Sequence, residues 1–139
     1  MLTTYPACFF KEESGYSVIF PDLNWLSTCG ATLDEAIAAA IDCLAGYLYA
    51  CKRDGDAVSA PSAMIDIHPA SIAQELGLES EETFVNLVTV DVAQYAKTHF
   101  EKPVKKTLSI PAWLNAAALE KHINFSQTLQ EALIAKLRA

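Results

Sequence analysis

The chain has 139 residues, of which 52% are hydrophobic and 19% are charged, and its formal net charge at pH 7 is -7. This length allows one ordinary domain, or a domain of about 100 residues with a small appendage. No apolar run approaches the roughly 18 residues of a membrane span, and the amino terminus lacks the basic start and cleavage site of a signal peptide. We therefore expect a globular, cytoplasmic protein without membrane contact.

The net charge hides a division along the chain. The first 101 residues carry four Lys or Arg against 15 Asp or Glu, a net charge of -11, whereas the remaining residues carry six against two, a net charge of +4. A basic segment can approach phosphates, and an acidic segment suits a basic protein partner. The sequence therefore predicts two parts with different tasks.

The acidic part has the pattern of a mixed α+β domain. Aromatic and β-branched residues predict strands at 5–10 and 16–20, and residues 25–30 favour a third strand. Thr32 and Glu35 form a capping box that begins a long helix, which ends near Gly55. A loop at 56–68 and a short helix at 70–76 precede a fourth strand at 83–90. These elements predict a β-β-β-α-β layer with one face covered, followed by a linker region at 91–102.

Cysteines and histidines show no catalytic or metal-binding spacing. The four cysteines include no C-x-x-C pair and are expected to be buried, reduced thiols. The three histidines lie in different predicted elements without a neighbouring ligand. We expect no catalytic residue, no metal and no cofactor.

The basic end of the chain predicts one strand and two helices. Residues 104–110 alternate between apolar and polar side chains. Pro111 ends this strand and can open a helix at 112–122, and Asn124 or Ser126 can cap a second helix. So short a segment cannot bury enough surface to be stable alone, and a lone strand has nothing to pair with. A second copy must then supply the other strand.

Antiparallel pairing of two such strands would make a ribbon that the DNA major groove admits. The candidate base readers on its outward side are Lys105, Thr107 and Ser109. Phosphate contacts are expected from Lys106 and, because the start of a helix offers free N–H groups, from Phe125, Ser126 and Gln127. The expected dimer core consists of Leu108, Ile110, Trp113, Leu114, Leu129 and Leu133. The pattern alone leaves open that 104–139 only completes the first domain with an edge strand and a helical hairpin.

Two sets of residues resemble one protein family. The first set is Tyr5 to Ala7, Gly15-Tyr16, Phe20 to Leu23 and Thr28 to Ala36, and the second is Leu108 to Leu114 and Ile123 to Leu133. Their order along the chain is similar to that of HicB-type antitoxins of the long form, which end in a ribbon-helix-helix domain.

The resemblance implies a fold and a function. It implies an acidic toxin-binding domain at 1–95 with a partial RNase H-like fold, a linker at 96–103, and a ribbon-helix-helix domain at 104–139 for dimerisation and DNA binding. The partners would be a small basic HicA-type mRNA-cleaving toxin, whose active site is masked, an inverted repeat in operator DNA, and a second copy of the chain, with a higher oligomer open. The tail would repress the pair's own operon. The first two strands lack the carboxylates that RNase H chemistry uses to hold metal ions, so we infer that the domain is not an enzyme.

The candidate toxin contacts are Asp22, Trp25, Glu81 and Glu82. Trp25 interrupts a turn where family members often have glycine; exposed, it would be an interface anchor, and the alternative is a buried core tryptophan. The acidic run at 79–82 either docks the toxin or is a solvated loop. Two other functions stay open: a ligand-responsive repressor whose acidic domain senses a small molecule, and a nuclease.

Overall fold

The computed structural model describes residues 1–80 and 82–139, and the chain divides into two compact units, Met1–Lys102 and Pro103–Ala139. The strands of the first unit are β1 (Thr3–Glu12), β2 (Gly15–Phe20), β3 (Leu26–Gly30) and β4 (Glu82–Val90). Its helices are α1 (Leu33–Asp54), α2 (Pro69–Leu76) and α3 (Val92–His99), with a short 3-10 turn at Met64–Asp66. The second unit contains α4 (Ala112–Glu120) and α5 (Phe125–Arg138). The predicted mixed α+β class is confirmed.

The four strands form one antiparallel sheet in the order β3-β2-β1-β4. Strand β1 is central, and residues 5–10 are buried without interruption. In the register of the sheet, Phe9 lies opposite Val18 on one side and Phe84 on the other, and the rings of Phe9 and Phe84 stack with centroids 5.0 Å apart. A central strand of this kind must be covered on both faces.

Helices cover both faces of the sheet. Helix α1 packs on the face that contains Phe9 and Phe20. Helix α2 covers the opposite face, where Ala73 packs with Cys8 and Phe10. The prediction of one covered face was wrong, because the run at 5–10 is apolar at every position and does not alternate.

Helix α1 has the predicted ends. The Thr32 hydroxyl accepts a hydrogen bond from the Glu35 N–H at 3.2 Å, and the Glu35 carboxylate accepts one from the Ala31 N–H at 3.1 Å. Gly55 ends the helix with a φ of 74°, a left-handed conformation that glycine adopts without steric cost. The capping box is confirmed, with the Glu35 carboxylate bonded to the N–H of Ala31, the residue before the Thr32 cap.

Residues 92–99 form a helix where the sequence indicated a linker. The Asp91 carboxylate caps α3 by accepting from the Gln94 N–H at 3.0 Å, and it also binds the amino group of Met1 at 3.1 Å. Tyr95 donates to Asp42 at 2.9 Å and, with Phe100, packs against the main core. The sequence predicted a linker region at 91–102, with the linker between the two domains at 96–103. This prediction was wrong for the residues that form α3. Position 92 is followed by apolar partners at i+3, i+4 and i+8, and this helical spacing was the missed signal.

The carboxyl-terminal unit contains the two predicted helices but no strand at 104–110. A strand in this segment would have no neighbouring strand in a single copy of the chain, so its backbone N–H and C=O groups would find no hydrogen-bond partners on either side. Helix α4 follows Pro111 and ends at Glu120, earlier than predicted. Asn124 rather than Ser126 caps α5, accepting from the Gln127 N–H at 3.1 Å.

Candidate functional site

The turn between β2 and β3 carries an exposed tryptophan in a strained backbone conformation. Asn24 and Trp25 have φ angles of 54° and 60°, and the Leu26 N–H donates to the Leu23 carbonyl at 3.1 Å across the turn. Two consecutive left-handed residues are typical of the tight type I′ turn. Leu23 is buried, whereas Trp25 is 50% exposed. The alternative of a core tryptophan is therefore wrong, and the side chain is available to a partner.

Two neighbours, Tyr47 and Ser27, hold this turn in place. The Asn24 amide donates to the Tyr47 hydroxyl of α1 at 3.0 Å, and the Ser27 hydroxyl donates to the Trp25 carbonyl at 2.7 Å. A left-handed residue other than glycine costs roughly 1–2 kcal/mol, and asparagine tolerates the conformation better than tryptophan does. The fold thus keeps a large aromatic side chain in solvent at a local energetic cost, which is typical of binding sites.

Asp22, beside the turn, is already engaged within the chain. Its two carboxylate oxygens accept from the Ser62 N–H at 2.8 Å and from the Ser62 hydroxyl at 2.6 Å. Nearby, the Tyr5 hydroxyl donates to the Ser59 carbonyl at 2.6 Å. Asp22 therefore ties the loop at 56–63 to the sheet, and a toxin would have to compete for it.

Glu82, the remaining candidate that the structure describes, lies elsewhere. Glu82 is the first residue of β4 and lies opposite Lys11, near the end of β1. Trp25 follows β2, which runs antiparallel to β1 and ends just beyond the pair of Ile19 with Cys8, toward the beginning of β1. Glu81 lies outside the described residues. The structure therefore places Trp25 and Asp22 near one end of the strands and Glu82 at the other, so the predicted toxin contacts do not form one cluster.

The carboxyl-terminal unit has no core of its own in one copy of the chain. No side chain in 103–139 is buried. Of the six residues predicted to form a dimer core, Leu129 alone is half-buried; the others are exposed, Leu108 by 63% and Trp113 by 72%. Five of the six thus remain exposed in a single copy of the chain, and large exposed apolar patches are typical of interaction surfaces.

The predicted DNA contacts are accessible in this unit. The side chains of Lys105, Lys106, Thr107 and Ser109 are all exposed. At the start of α5 the Gln127 N–H already donates to the Asn124 cap. A phosphate at this helix start would therefore meet the N–H groups of Phe125 and Ser126, and Gln127 could contribute only its side chain.

The four cysteine thiols differ in burial, although all were expected to be buried. Cys8 and Cys51 are buried as predicted, but Cys43 is half-buried and Cys29 is exposed on β3. Burial raises the pKa of the Cys8 thiol to about 11, and the Asp22 carboxylate contributes to the increase. In 1–80 and 82–139, no three His, Cys, Asp or Glu side chains are placed to share a metal ion. None of the helices in this described part has the length and apolar character to cross a membrane.

Known proteins resemble this chain over all or part of its length. Antitoxin HicB 2 of Photorhabdus laumondii subsp. laumondii is 36% identical over 76 residues, which represent 52% of this chain and 54% of that protein. The chain thus matches about half the length of this curated relative. A chain in a solved toxin-antitoxin complex from Streptococcus pneumoniae is 30% identical, with a TM-score of 0.63 over 98% of this chain and 99% of that chain.

Two further similarities cover both units. The crystal structure of the antitoxin HicB from Burkholderia pseudomallei is 22% identical, with a TM-score of 0.47 over 98% of this chain and 97% of that chain. The family model described as the HicB-like antitoxin of bacterial toxin-antitoxin systems matches residues 5–137. This match spans both units, and the chain belongs to the HicB-like antitoxin family.

Proposed function

We propose that this chain is a non-enzymatic antitoxin that neutralises a small HicA-type mRNA-cleaving toxin and represses its own operon through a dimeric tail. The observation that carries the proposal is the family match at 5–137, because it includes the acidic unit and the basic unit together. The division of the chain at Lys102 and Pro103 supports two separate tasks.

The acidic unit is the toxin-binding part of this proposal. Its net charge of -11 over the first 101 residues favours a basic partner and accelerates encounter with it. In addition to this charge, Trp25 provides a large, exposed apolar side chain that a partner can bury. Because the turn around it is fixed by Tyr47 and Ser27, little conformational entropy is lost when a toxin binds.

Toxin binding and neutralisation are tested by co-expressing this chain with the small open reading frame next to its gene. A stable complex that relieves growth arrest is the expected result. Trp25→Ala should weaken the complex by about 30-fold, the effect of losing a hot-spot side chain worth about 2 kcal/mol. Leu76→Ala is the matched control, because Leu76 is equally exposed on α2 and should leave toxin binding unchanged. Failure of the two proteins to copurify would instead favour a ligand-responsive repressor.

The basic unit is the DNA-binding part of this proposal. Two copies that pair residues 104–110 would form the two-stranded ribbon and bury the exposed apolar side chains of Leu108 and Trp113. The net charge of +4 in this segment lets the ribbon approach phosphates despite the acidic unit. The two helices with their connecting turn support a ribbon-helix-helix fold, with the strand formed on dimerisation.

Salt dependence of operator binding tests this part. Replacing Lys105 and Lys106 with alanine should reduce the slope of log K against log salt by about 1 for each of the two lysines that pairs with a phosphate in the wild-type complex. An unchanged slope would show that neither lysine neutralises a phosphate.

The finer description of the acidic unit is also part of the proposal. The order β3-β2-β1-β4 and the β-β-β-α succession at 3–54 support a partial RNase H-like arrangement. Nothing in the first two strands supplies carboxylates for two-metal hydrolysis, apart from Glu12 at the very end of β1. A metal-dependent cleavage assay on the purified chain should therefore show no activity.

A further inference from the structure

The loop at 56–63, which we call the strap, is held on the first unit by few interactions. Every residue in it is exposed, and Val58 is its only large apolar side chain. At its beginning, the Asp56 N–H donates to the Cys51 carbonyl at 2.8 Å. Within the described part of the chain, residues 57–62 make no hydrogen bond from backbone to backbone. The position of the strap therefore depends on side chains that reach it from the sheet.

Two side chains fasten the middle of the strap. The Tyr5 hydroxyl donates to the Ser59 carbonyl at 2.6 Å. The Asp22 carboxylate accepts from the Ser62 N–H at 2.8 Å and from the Ser62 hydroxyl at 2.6 Å. Two of the three bonds thus end on Asp22. Because hydrogen bonds at an exposed site compete with water, a strap that three of them hold can open locally without unfolding the domain.

The negative charge of Asp22 is not balanced by a cation. Among residues 1–80 and 82–139, the ion pairs use the carboxylates of Asp54 and Asp91, not that of Asp22. Both donors that Ser62 offers are neutral. Burial raises the pKa of the Tyr5 hydroxyl, and the Asp22 charge raises it further. A cationic donor would therefore bind this carboxylate more strongly than the serine does, because hydrogen bonds between two ionised groups are about twice as strong as neutral ones.

Asp22 lies within the area that a partner on Trp25 would cover. Both residues belong to the connection between β2 and β3, and a chain of three residues spans at most about 11 Å. A standard protein interface buries about 800 Å² of each partner, roughly a disc of 16 Å radius. A toxin that buries Trp25 therefore also reaches Asp22. Being basic, it can present a lysine or arginine side chain there.

We propose that the strap is an autoinhibitory contact that occupies Asp22 in the free protein and is displaced by a lysine or arginine side chain of the toxin. Displacement breaks both bonds to Ser62, while the bond from Asp56 to Cys51 keeps the beginning of the strap in place. When only a fraction of a protein is competent to bind, its apparent affinity falls by that fraction. The strap therefore lowers the affinity for the toxin. Its role rests on the proposed toxin binding and adds a means of regulating it.

The first test measures the affinity of full-length variants for the purified product of the adjacent small open reading frame by calorimetry. Ser62→Ala removes one of the two bonds to Asp22 and should tighten binding about 5-fold, equal to about 1 kcal/mol. Ser59→Ala is the matched control: it removes the same atom from the strap, but Tyr5 binds the backbone carbonyl of Ser59, so the affinity should not change. Weaker binding by Ser62→Ala would overturn the proposal, because Ser62 would then orient Asp22 for the toxin. An unchanged affinity would overturn it as well.

A double variant shows whether Ser62 acts through Asp22. Asp22→Asn should weaken binding about 10-fold, because the charge pair with the toxin is lost. In the Asp22→Asn background, Ser62→Ala should no longer tighten binding, and a gain that persists there would contradict the mechanism. The proposed function fails separately, if the wild-type chain does not bind the toxin at all. A wild type that binds, with Ser62→Ala no tighter, refutes the strap alone.

The second test follows the release of the strap by amide hydrogen exchange and NMR. In the free chain the Ser62 N–H is bound to Asp22, and the Asp56 N–H is bound to the Cys51 carbonyl. With saturating toxin, exchange of the Ser62 amide should become about 10-fold faster, whereas the Asp56 amide should keep its rate as the internal control. A contact surface normally slows exchange, so faster exchange is specific to a released strap. Slower or unchanged exchange at Ser62 would show that the strap stays fastened, and the proposal would be wrong.

Discussion

Replacing Gly30 with alanine should destabilise the amino-terminal unit by about 3 kcal/mol. A Cβ atom at Gly30 would lie 2.3 Å from the Ala36 nitrogen and 2.7 Å from the Ala36 Cα atom, both in the first turn of α1. These are backbone atoms, so no side chain can rotate away, and the end of β3 must separate from the helix. Overpacking in a well-packed region costs about 1–3 kcal/mol, and a rigid obstacle places this substitution at the upper end.

Thermal unfolding of the full chain, followed by circular dichroism, measures the effect. For a unit of this size each kcal/mol lowers Tm by about 4–8 °C, so Gly30→Ala should lower it by about 12–24 °C. Gly46→Ala is the control: its Cβ would meet only the Phe100 ring at 3.7 Å, and alanine is favoured over glycine within a helix by about 0.5–1 kcal/mol. Gly46→Ala should raise Tm. A wild-type Tm for Gly30→Ala would refute the close approach of β3 to α1.

Three other substitutions or reactions examine single features. Trp25→Gly should be more stable than Trp25→Ala by about 1 kcal/mol in urea unfolding, because glycine removes the cost of the left-handed conformation; equal stabilities would contradict the turn geometry. A thiol reagent at pH 8 should modify Cys29 and spare Cys8, because burial raises the pKa of the Cys8 thiol to about 11 and its reactive thiolate is scarce until the pH approaches that value. Rapid modification of Cys8 in the folded protein would show that it is not buried. Thr107→Ala should weaken operator binding by about 1–3 kcal/mol while sparing random DNA, as measured by fluorescence anisotropy, and an equal loss on both would mean that Thr107 does not read sequence.

Local signals predicted most elements of the fold. The capping box at Thr32 and the glycine at Gly55 indicated both ends of α1, because the groups that satisfy helix ends act within a few residues. Helix α3 was missed although the apolar residues from position 92 have helical spacing, since so short a helix derives its stability from packing of Tyr95 and Phe100 on a core formed by distant residues. The second covered face was missed for a related reason: which helix reaches Cys8 and Phe10 is a matter of topology, not of local pattern.

The candidate site was predictable only in part. The sequence pattern identified Trp25 as either an anchor or a core residue, and only the turn geometry, with its two positive φ angles, distinguishes them. In the tail, residues 104–110 alternate between apolar and polar side chains but form no strand in a single chain; the strand that we propose there would need a second copy to supply its hydrogen bonds.

The position of β1 at the centre of the sheet also has a consequence for biosynthesis. Strand β1 leaves the ribosome well before β4, yet the two strands pair in a register that joins Thr3 to Val90. At about 5–20 residues per second the ribosome needs on the order of 4–17 s to make the intervening chain. For that interval the apolar run from Tyr5 to Phe10 has no second neighbour and is open to aggregation and proteolysis. Nascent chains therefore pass through a vulnerable period, whose length is fixed by how far apart the fold places its two longest strands.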